Sequence, residues 1–145
     1  MPQAPQSMGF YGCRSFPIVE PNRITTMPFL SLTTNLECSL ESALKLQELL
    51  TDLIVDQLKK PREVIQIALA DGQKMTFGGT RGPCCFVDFR GLGLTADQAN
   101  SLSRTLCELL ENHLKIAPNR IFINFWDVPR SHWGWNGKTF GSNPN

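Results

Sequence analysis

The sequence predicts an α/β fold: an α+β sandwich in which two β-α-β units build one four-stranded mixed sheet with two helices on one face. Three observations carry this. Two stretches repeat apolar residues at spacings of three and four, the period of a helix with one buried side. They are Leu40, Ala43, Leu44, Leu50, Leu53, Ile54 and Leu58, and then Leu102, Leu106, Leu109, Leu110 and Leu114. Each stretch is flanked by short runs rich in β-branched and aromatic residues, the composition of strands. The segments "LKKPREVIQI" and "LKIAPNRIFI" also echo one design, a helix end followed by a proline and a strand. Each strand–helix–strand unit closes by a right-handed crossover that brings its strands parallel.

Taken in order, residues 1–26 hold Pro2, Pro5, Pro17 and Pro21 without a helical or strand period. They are expected to be a disordered extension, either removable or left out by an alternative start at Met27, with the folded domain over residues 27–145. From Pro28, "PFLSLTT" is a strand opened by a proline, where a missing N–H is tolerated. Ser39 caps the first helix, with Glu41 in its first turn, and Pro61 stops it. "REVIQIALA" follows as a strand, and Asp71-Gly72 reads as a hairpin turn into a short strand "KMTF". "CCFVDFRGL" is the next strand. Thr95 with Gln98 forms a capping box for the second helix, and "RIFINFW" is the last strand. Asn136-Gly137 is a further turn signal. "CCFVDF" and "RIFINFW" barely alternate, as strands buried on both faces do. Two helices cover one face only, so the other is expected to be covered by another subunit.

Composition removes several function classes. The chain has 145 residues with Lys+Arg 14 against Asp+Glu 13, a net charge of +1. No basic stripe is present, which argues against a nucleic acid or an anionic membrane surface as partner. No apolar run approaches the roughly 20 residues of a bilayer span, so no membrane insertion is expected. Five cysteines and two histidines, without a C-x-x-C pair, fall short of a zinc site. No metal or cofactor is expected. Cys84 and Cys85 are adjacent and point to opposite faces of a strand, which favours two buried thiols over a disulfide. "GGTRGP" is glycine-rich but lacks the Gly-Lys-Ser/Thr of a phosphate cradle.

Five islands carry a resemblance: "MPFLSLTTN", "KKP" at 59–61, "MTFGGTRGPC" at 75–84, "PNRIFINFWD" at 118–127 and "GWNGKTF" at 134–140. In that order and spacing the sequence resembles the macrophage migration inhibitory factor family of the tautomerase superfamily. The resemblance implies a homotrimer whose three four-stranded sheets form a central barrel, with a pocket at each subunit interface. It implies keto–enol tautomerisation of aromatic α-keto acids such as phenylpyruvate, and isomerisation of dopachrome, with an N-terminal proline as general base. It also implies a cytoplasmic protein, or one secreted without a signal peptide to meet a cell-surface receptor. Carried onto this sequence, the base is Pro28, Lys60 holds the substrate carboxylate, and Asn124 is a hydrogen-bond donor in the pocket. Leu92 offers its backbone N–H to the carboxylate. Phe122 stands where many members have a tyrosine, which removes a phenol hydrogen bond. Trp133 is bulkier than the aliphatic residue common at its place. Cys84 is followed by Cys85, Phe86 and Val87, so the family's C-x-x-C is missing here.

The chemistry also follows from the residues. Moving a proton next to a carbonyl needs a base poised near neutral pH. A free α-amine starts near about 7.7–8.0, and an apolar pocket pushes it down by disfavouring its charged form. Phe29, Phe122 and Trp133 are candidate walls. Each residue keeps a plainer reading: Met27-Pro28 as an ordinary strand opening, Lys60 as a solvated helix-end lysine, Asn124 as a partner for neighbouring backbone. Inside the chain the Pro28 nitrogen is an amide and cannot act as a base. The alternative to a tautomerase is therefore a cytokine-like binding trimer with its proline blocked by the extension.

Overall fold

Caps and apolar stripes place the helices. In the computed structural model, which describes residues 27–141, the hydroxyl of Ser39 accepts from the Ser42 N–H and starts α1, Leu40–Leu58. Thr95 and Gln98 form the expected reciprocal capping box at the start of α2, Ala96–Leu114. Both helices end the same way, with a lysine in the left-handed region: Lys59 at φ 53° and Lys115 at φ 57°. Each lysine N–H bonds back to the last helical turn, a left-handed cap. A single 3₁₀ turn follows each, Arg62–Val64 and Pro118–Arg120, and then a strand. The sequence echo is thus a structural repeat of cap, 3₁₀ turn and strand.

The strands are β1 Phe29–Thr34, β2 Gln66–Ala70, β3 Cys85–Gly91 and β4 Ile121–Asp127. The sheet order is β2-β1-β3-β4. β1 and β2 pair in parallel, as do β3 and β4, while β1 and β3 join the two units antiparallel. This is the expected mixed sheet of two β-α-β units. Two short strands, β5 Gly134–Trp135 and β6 Lys138–Thr139, form a separate hairpin. Its turn holds Asn136 at φ 52° and Gly137 at φ 83°, the doubly left-handed geometry for which Asn-Gly is suited.

One face of the sheet is the core. Leu30 and Leu32 of β1 lie across from Phe89 and Val87 of β3, and all four are buried. Leu46, Leu50, Ile54 and Leu58 of α1 and Leu102, Leu106 and Leu110 of α2 close over them. Both helices cover this one face. Thr34 is the buried polar residue of the core, and its hydroxyl is satisfied twice. It donates to the Cys84 carbonyl at 2.8 Å and accepts from the Leu36 N–H at 3.2 Å. Cys84 and Cys85 are buried free thiols, and burial, with Cys107 and Cys84 close by, pushes the Cys85 thiol up to about 12. Cys13 lies outside the described residues, as does the whole of 1–26.

Several expectations are corrected. "KMTF" forms no strand, only an isolated bridge between Phe77 and Thr80: its β-forming residues lie outside the four-stranded sheet. The strand expected over "REVIQIALA" begins at Gln66, because residues 62–64 are taken up by the 3₁₀ turn. Leu40 and Leu44 are 76% and 57% exposed, and Leu46 takes the core position instead. At 3.6 residues per turn, Leu44 points roughly 100° away from the mean direction of Leu46, Leu50, Ile54 and Leu58. The β3 strand does alternate strictly in burial, with Phe86, Asp88 and Arg90 on the helix-free face. That face mixes aromatic and polar residues: Phe86 is 41%, Phe122 60% and Trp126 58% exposed, around a chain in which Arg90 donates to Asp88 at 2.9 Å and the Asn124 amide donates to Asp88 at 3.0 Å.

Candidate active site

Pro28 stands immediately before β1, buried, with its carbonyl accepting from the Gln66 N–H at 3.1 Å. This bond fixes the start of β1 against the start of β2. Beside it lies a cavity of about 390 Å³, whose walls include Met27, Pro28, Phe29, Glu63, Val64, Gln66, Trp133 and Trp135. Two of its sides come from the 3₁₀ turn before β2 and from the C-terminal arm. The arm is folded back by a series of backbone bonds. Val128 N–H donates to Gly91 at 2.8 Å, Phe140 N–H to Trp133 at 3.2 Å, and Gly141 N–H to Arg130 at 3.1 Å. Gly141 passes so close to Ser131 that an added Cβ would stand 2.6 Å from its Cα, which requires glycine there. Trp135 stacks on Phe140 with ring centroids 6.1 Å apart, so the aromatic wall is braced from behind.

Behind the cavity is a small apolar cluster. Met27, Leu92 and Phe140 are its buried members, with Val64, Val128 and Trp133 packed around them. Leu92 is held there by its loop: the Asp127 carboxylate accepts from the Gly93 N–H at 2.9 Å and the Leu94 N–H at 3.2 Å. Of the sequence candidates, Pro28 and Trp133 therefore meet at the cavity, Phe29 lines it, and Leu92 lies one layer behind. Lys60 follows the left-handed cap at Lys59 and is not among the lining residues. Partial burial lowers its pKa below the ordinary lysine value, by desolvating the ammonium.

Phe122 and Asn124 lie elsewhere. Both are on β4, two strands from β1, on the helix-free face. Phe29 shares a row with Arg90 and Trp126. From the usual strand spacings, Asn124 is displaced from that row by about 7 Å along the strand and about 10 Å across the sheet, and Phe122 by about 13 Å along. The Phe122 ring packs instead on Phe77, 4.7 Å between centroids. Arg120 locks that corner, donating to the carbonyls of Phe77, Thr80, Gly82 and Pro83. Within one chain, then, β4 does not reach the Pro28 cavity.

Sequence reasoning missed Glu63, Gln66 and Trp135 as lining residues. The signal for Trp135 lay in "GWNGKTF", whose Asn-Gly turn folds the arm beside Pro28. Glu63 and Gln66 are polar residues in an ordinary strand-edge context, and only the turn after Pro61 aims them at the cavity. Among the described residues no group of three or more His, Cys, Asp or Glu side chains is placed to hold a metal, and no helix is long and apolar enough to cross a membrane.

Residues 27–141 match the family described as Macrophage migration inhibitory factor (MIF). The chain belongs to the macrophage migration inhibitory factor family. A relative of that name from Meriones unguiculatus is 35% identical over 115 residues, 79% of this chain and 99% of the relative. A homologue from Trichuris trichiura is 36% identical over 115 residues, 79% of this chain and 100% of that protein. Among solved structures, the homologue from Prochlorococcus marinus superposes with a TM-score of 0.73 at 32% identity, covering 78% of this chain and 99% of its own. The family match begins at Met27, directly before Pro28. The two β-α-β units are therefore those of the MIF-like tautomerase fold, and residues 1–26 lie outside the matched span.

Proposed function

We propose that this MIF-family chain is a keto–enol tautomerase of aromatic α-keto acids of the phenylpyruvate type and a dopachrome isomerase, active when Pro28 is its first residue. The observation that carries this is the position of Pro28, immediately before the first strand, held by Gln66 in the wall of an aromatic-lined cavity. As a free secondary amine, its nitrogen takes the proton from the carbon next to the substrate carbonyl and returns it to the other end of the enol system. Burial among Phe29, Trp133 and Trp135 favours the neutral, basic form. The family resemblance assigns the substrate carboxylate to Lys60 and the Leu92 backbone N–H, neither of which lines the cavity within the single chain. No cofactor takes part.

The site is completed by a neighbouring copy in a homotrimer. The helix-free sheet face exposes Phe86, Phe122 and Trp126, an apolar surface that association would bury. Phe122 and Asn124 lie too far from Pro28 in their own chain to line its cavity, whereas the same residues of another copy lie on a face free to meet it. The protein acts in the cytoplasm or, after release, outside the cell.

The substrate reading is tested at Lys60. Lys60→Ala is expected to weaken turnover of phenylpyruvate about 10-fold or more while leaving its methyl ester little changed, because a hydrogen bond to a charged group is typically worth about 1.5–3 kcal/mol. Steady-state rates on both substrates decide it. Equal losses would remove Lys60 from the carboxylate role. A second reading, a cytokine-like binding trimer that meets a cell-surface receptor, is favoured by one feature: in the 145-residue chain Met27 acylates the Pro28 nitrogen.

A further inference from the structure

We infer that Asp88 is a positioning residue for the neighbouring copy's site: braced by Arg90, its carboxylate takes one N–H of Asn124 and so fixes which way that amide faces. The inference rests on the proposed trimer and deepens it, by naming the group that orients the amide one chain lends to the next. Asp88 and Asn124 are direct cross-strand partners in β3 and β4, and the Asn124 amide nitrogen donates to Asp88 Oδ1 at 3.0 Å. The other oxygen, Oδ2, accepts from Arg90 Nε at 3.1 Å and from Nη2 at 2.9 Å, a forked contact from one guanidinium. The Asp88 side chain is 22% exposed against 53% for Arg90, so the carboxylate is the sheltered member of the pair.

An amide has a donor end and an acceptor end of nearly the same shape. A carboxylate paired with a guanidinium only accepts, so only the nitrogen of Asn124 can turn toward it. The ion pair thereby removes the flipped orientation. One N–H goes to Asp88, while the second N–H and the carbonyl oxygen make no hydrogen bond among the described residues. These are the atoms left on the helix-free face for a neighbouring copy. Without Asp88, no other described residue bonds the Asn124 amide, and the flipped form turns a carbonyl oxygen toward an anionic substrate. Arg90 also offsets the charge that a lone carboxylate would bring near that anion.

The test is a double-mutant cycle in the chain that begins at Pro28. The family match spans residues 27–141, and the Prochlorococcus marinus homologue folds with 99% of its own chain matched to this one, so the domain folds without residues 1–26. The probe is 3-phenylpropionate, which has a ring and a carboxylate but no ketone to tautomerise. Calorimetry gives its affinity for the unaltered chain, Asp88→Ala, Asn124→Ala and the double variant, each confirmed as a trimer by light scattering. Asp88→Ala is expected to weaken binding at least about fivefold more with Asn124 present than in Asn124→Ala, as two residues of one network couple. Any direct effect of the freed Arg90 is the same in both backgrounds and cancels. Should Asp88→Ala fail to assemble, Asp88→Asn keeps the shape and is expected to show coupling of the same sign, because its amide accommodates either end of Asn124. Equal changes in the two backgrounds would overturn the assignment, since a merely structural role does not depend on Asn124. Absence of binding by the unaltered chain would overturn it together with the proposed site. Failure of the tautomerase reading alone looks different: the coupling persists in binding, while the unaltered chain does not turn over phenylpyruvate.

Discussion

A chain beginning at Pro28 is expected to tautomerise phenylpyruvate at least about 10²-fold faster than the full chain, the lower end of what a positioned general base contributes. The argument is chemical. In the full chain the Pro28 nitrogen is bonded to the Met27 carbonyl carbon, and an amide nitrogen has no lone pair available to a proton at neutral pH. In the shorter chain the same atom is a secondary amine in the wall of an aromatic-lined cavity. The two proteins share the sequence from Pro28 onward and differ by residues 1–27, whose removal frees the nitrogen. Initial rates on both proteins, each verified by intact mass, give the ratio. Equal rates would mean that Pro28 is not the base, and the binding trimer would become the better account.

The second large effect concerns the assembly. In a chain beginning at Pro28, Asn124→Ala is expected to lower phenylpyruvate turnover by about 10- to 10²-fold, the loss of one hydrogen bond to a charged substrate. Co-refolding that variant with the full chain is expected to restore activity. The full chain is expected to be inactive on its own, because its proline is acylated, yet it carries an intact Asn124. In a mixed trimer it supplies that amide to the free proline of its neighbour. With equal random mixing, about half of the free-proline sites regain it. The expectation follows from the sheet order, which puts Asn124 two strands from Pro28 in its own chain. No gain on mixing, with trimers confirmed by light scattering, would place Asn124 outside the site or make each site the work of one chain.

Much of the fold was legible because its signals are local. Ser39 and the Thr95–Gln98 pair announce helix starts through side chain to backbone bonds that span three residues. The two "LK" segments announce helix ends, and the structure shows both lysines in the same left-handed cap. What escaped depends on relations that sequence does not carry. Leu40 and Leu44 have helical spacing but lie off the axis set by Leu46, Leu50, Ile54 and Leu58, which only the packed sheet defines. "KMTF" has strand composition, but a strand exists only where another strand meets it, and this segment stays outside the sheet.

The candidate site divides along the same line. Pro28 was marked by the "MPFLSLTTN" island and Trp133 by its place in the family pattern just before "GWNGKTF"; the two are far apart in sequence, and the fold brings both to one cavity. Glu63 and Gln66 went unmarked because their role comes from the turn after Pro61, and Trp135, though inside "GWNGKTF", was not read as a wall because that role comes from the folded-back arm. Met27 was legible as a boundary but not as a packed side chain. Its burial against Leu92 and Phe140 is a tertiary fact.

The most direct test of the central claim is the titration of the Pro28 nitrogen in the chain that begins there, followed by ¹⁵N NMR with labelled proline alongside the pH dependence of phenylpyruvate turnover. A base works when unprotonated, so the rate should rise with pH as the ammonium loses its proton. An apolar pocket favours the neutral form, so that midpoint should fall below the roughly 7.7–8.0 of a free α-amine. The account predicts one midpoint, depressed in this sense and shared by the nitrogen signal and the rate. A nitrogen that titrates as an ordinary amine while the rate follows some other group, or does not change at all, would contradict it.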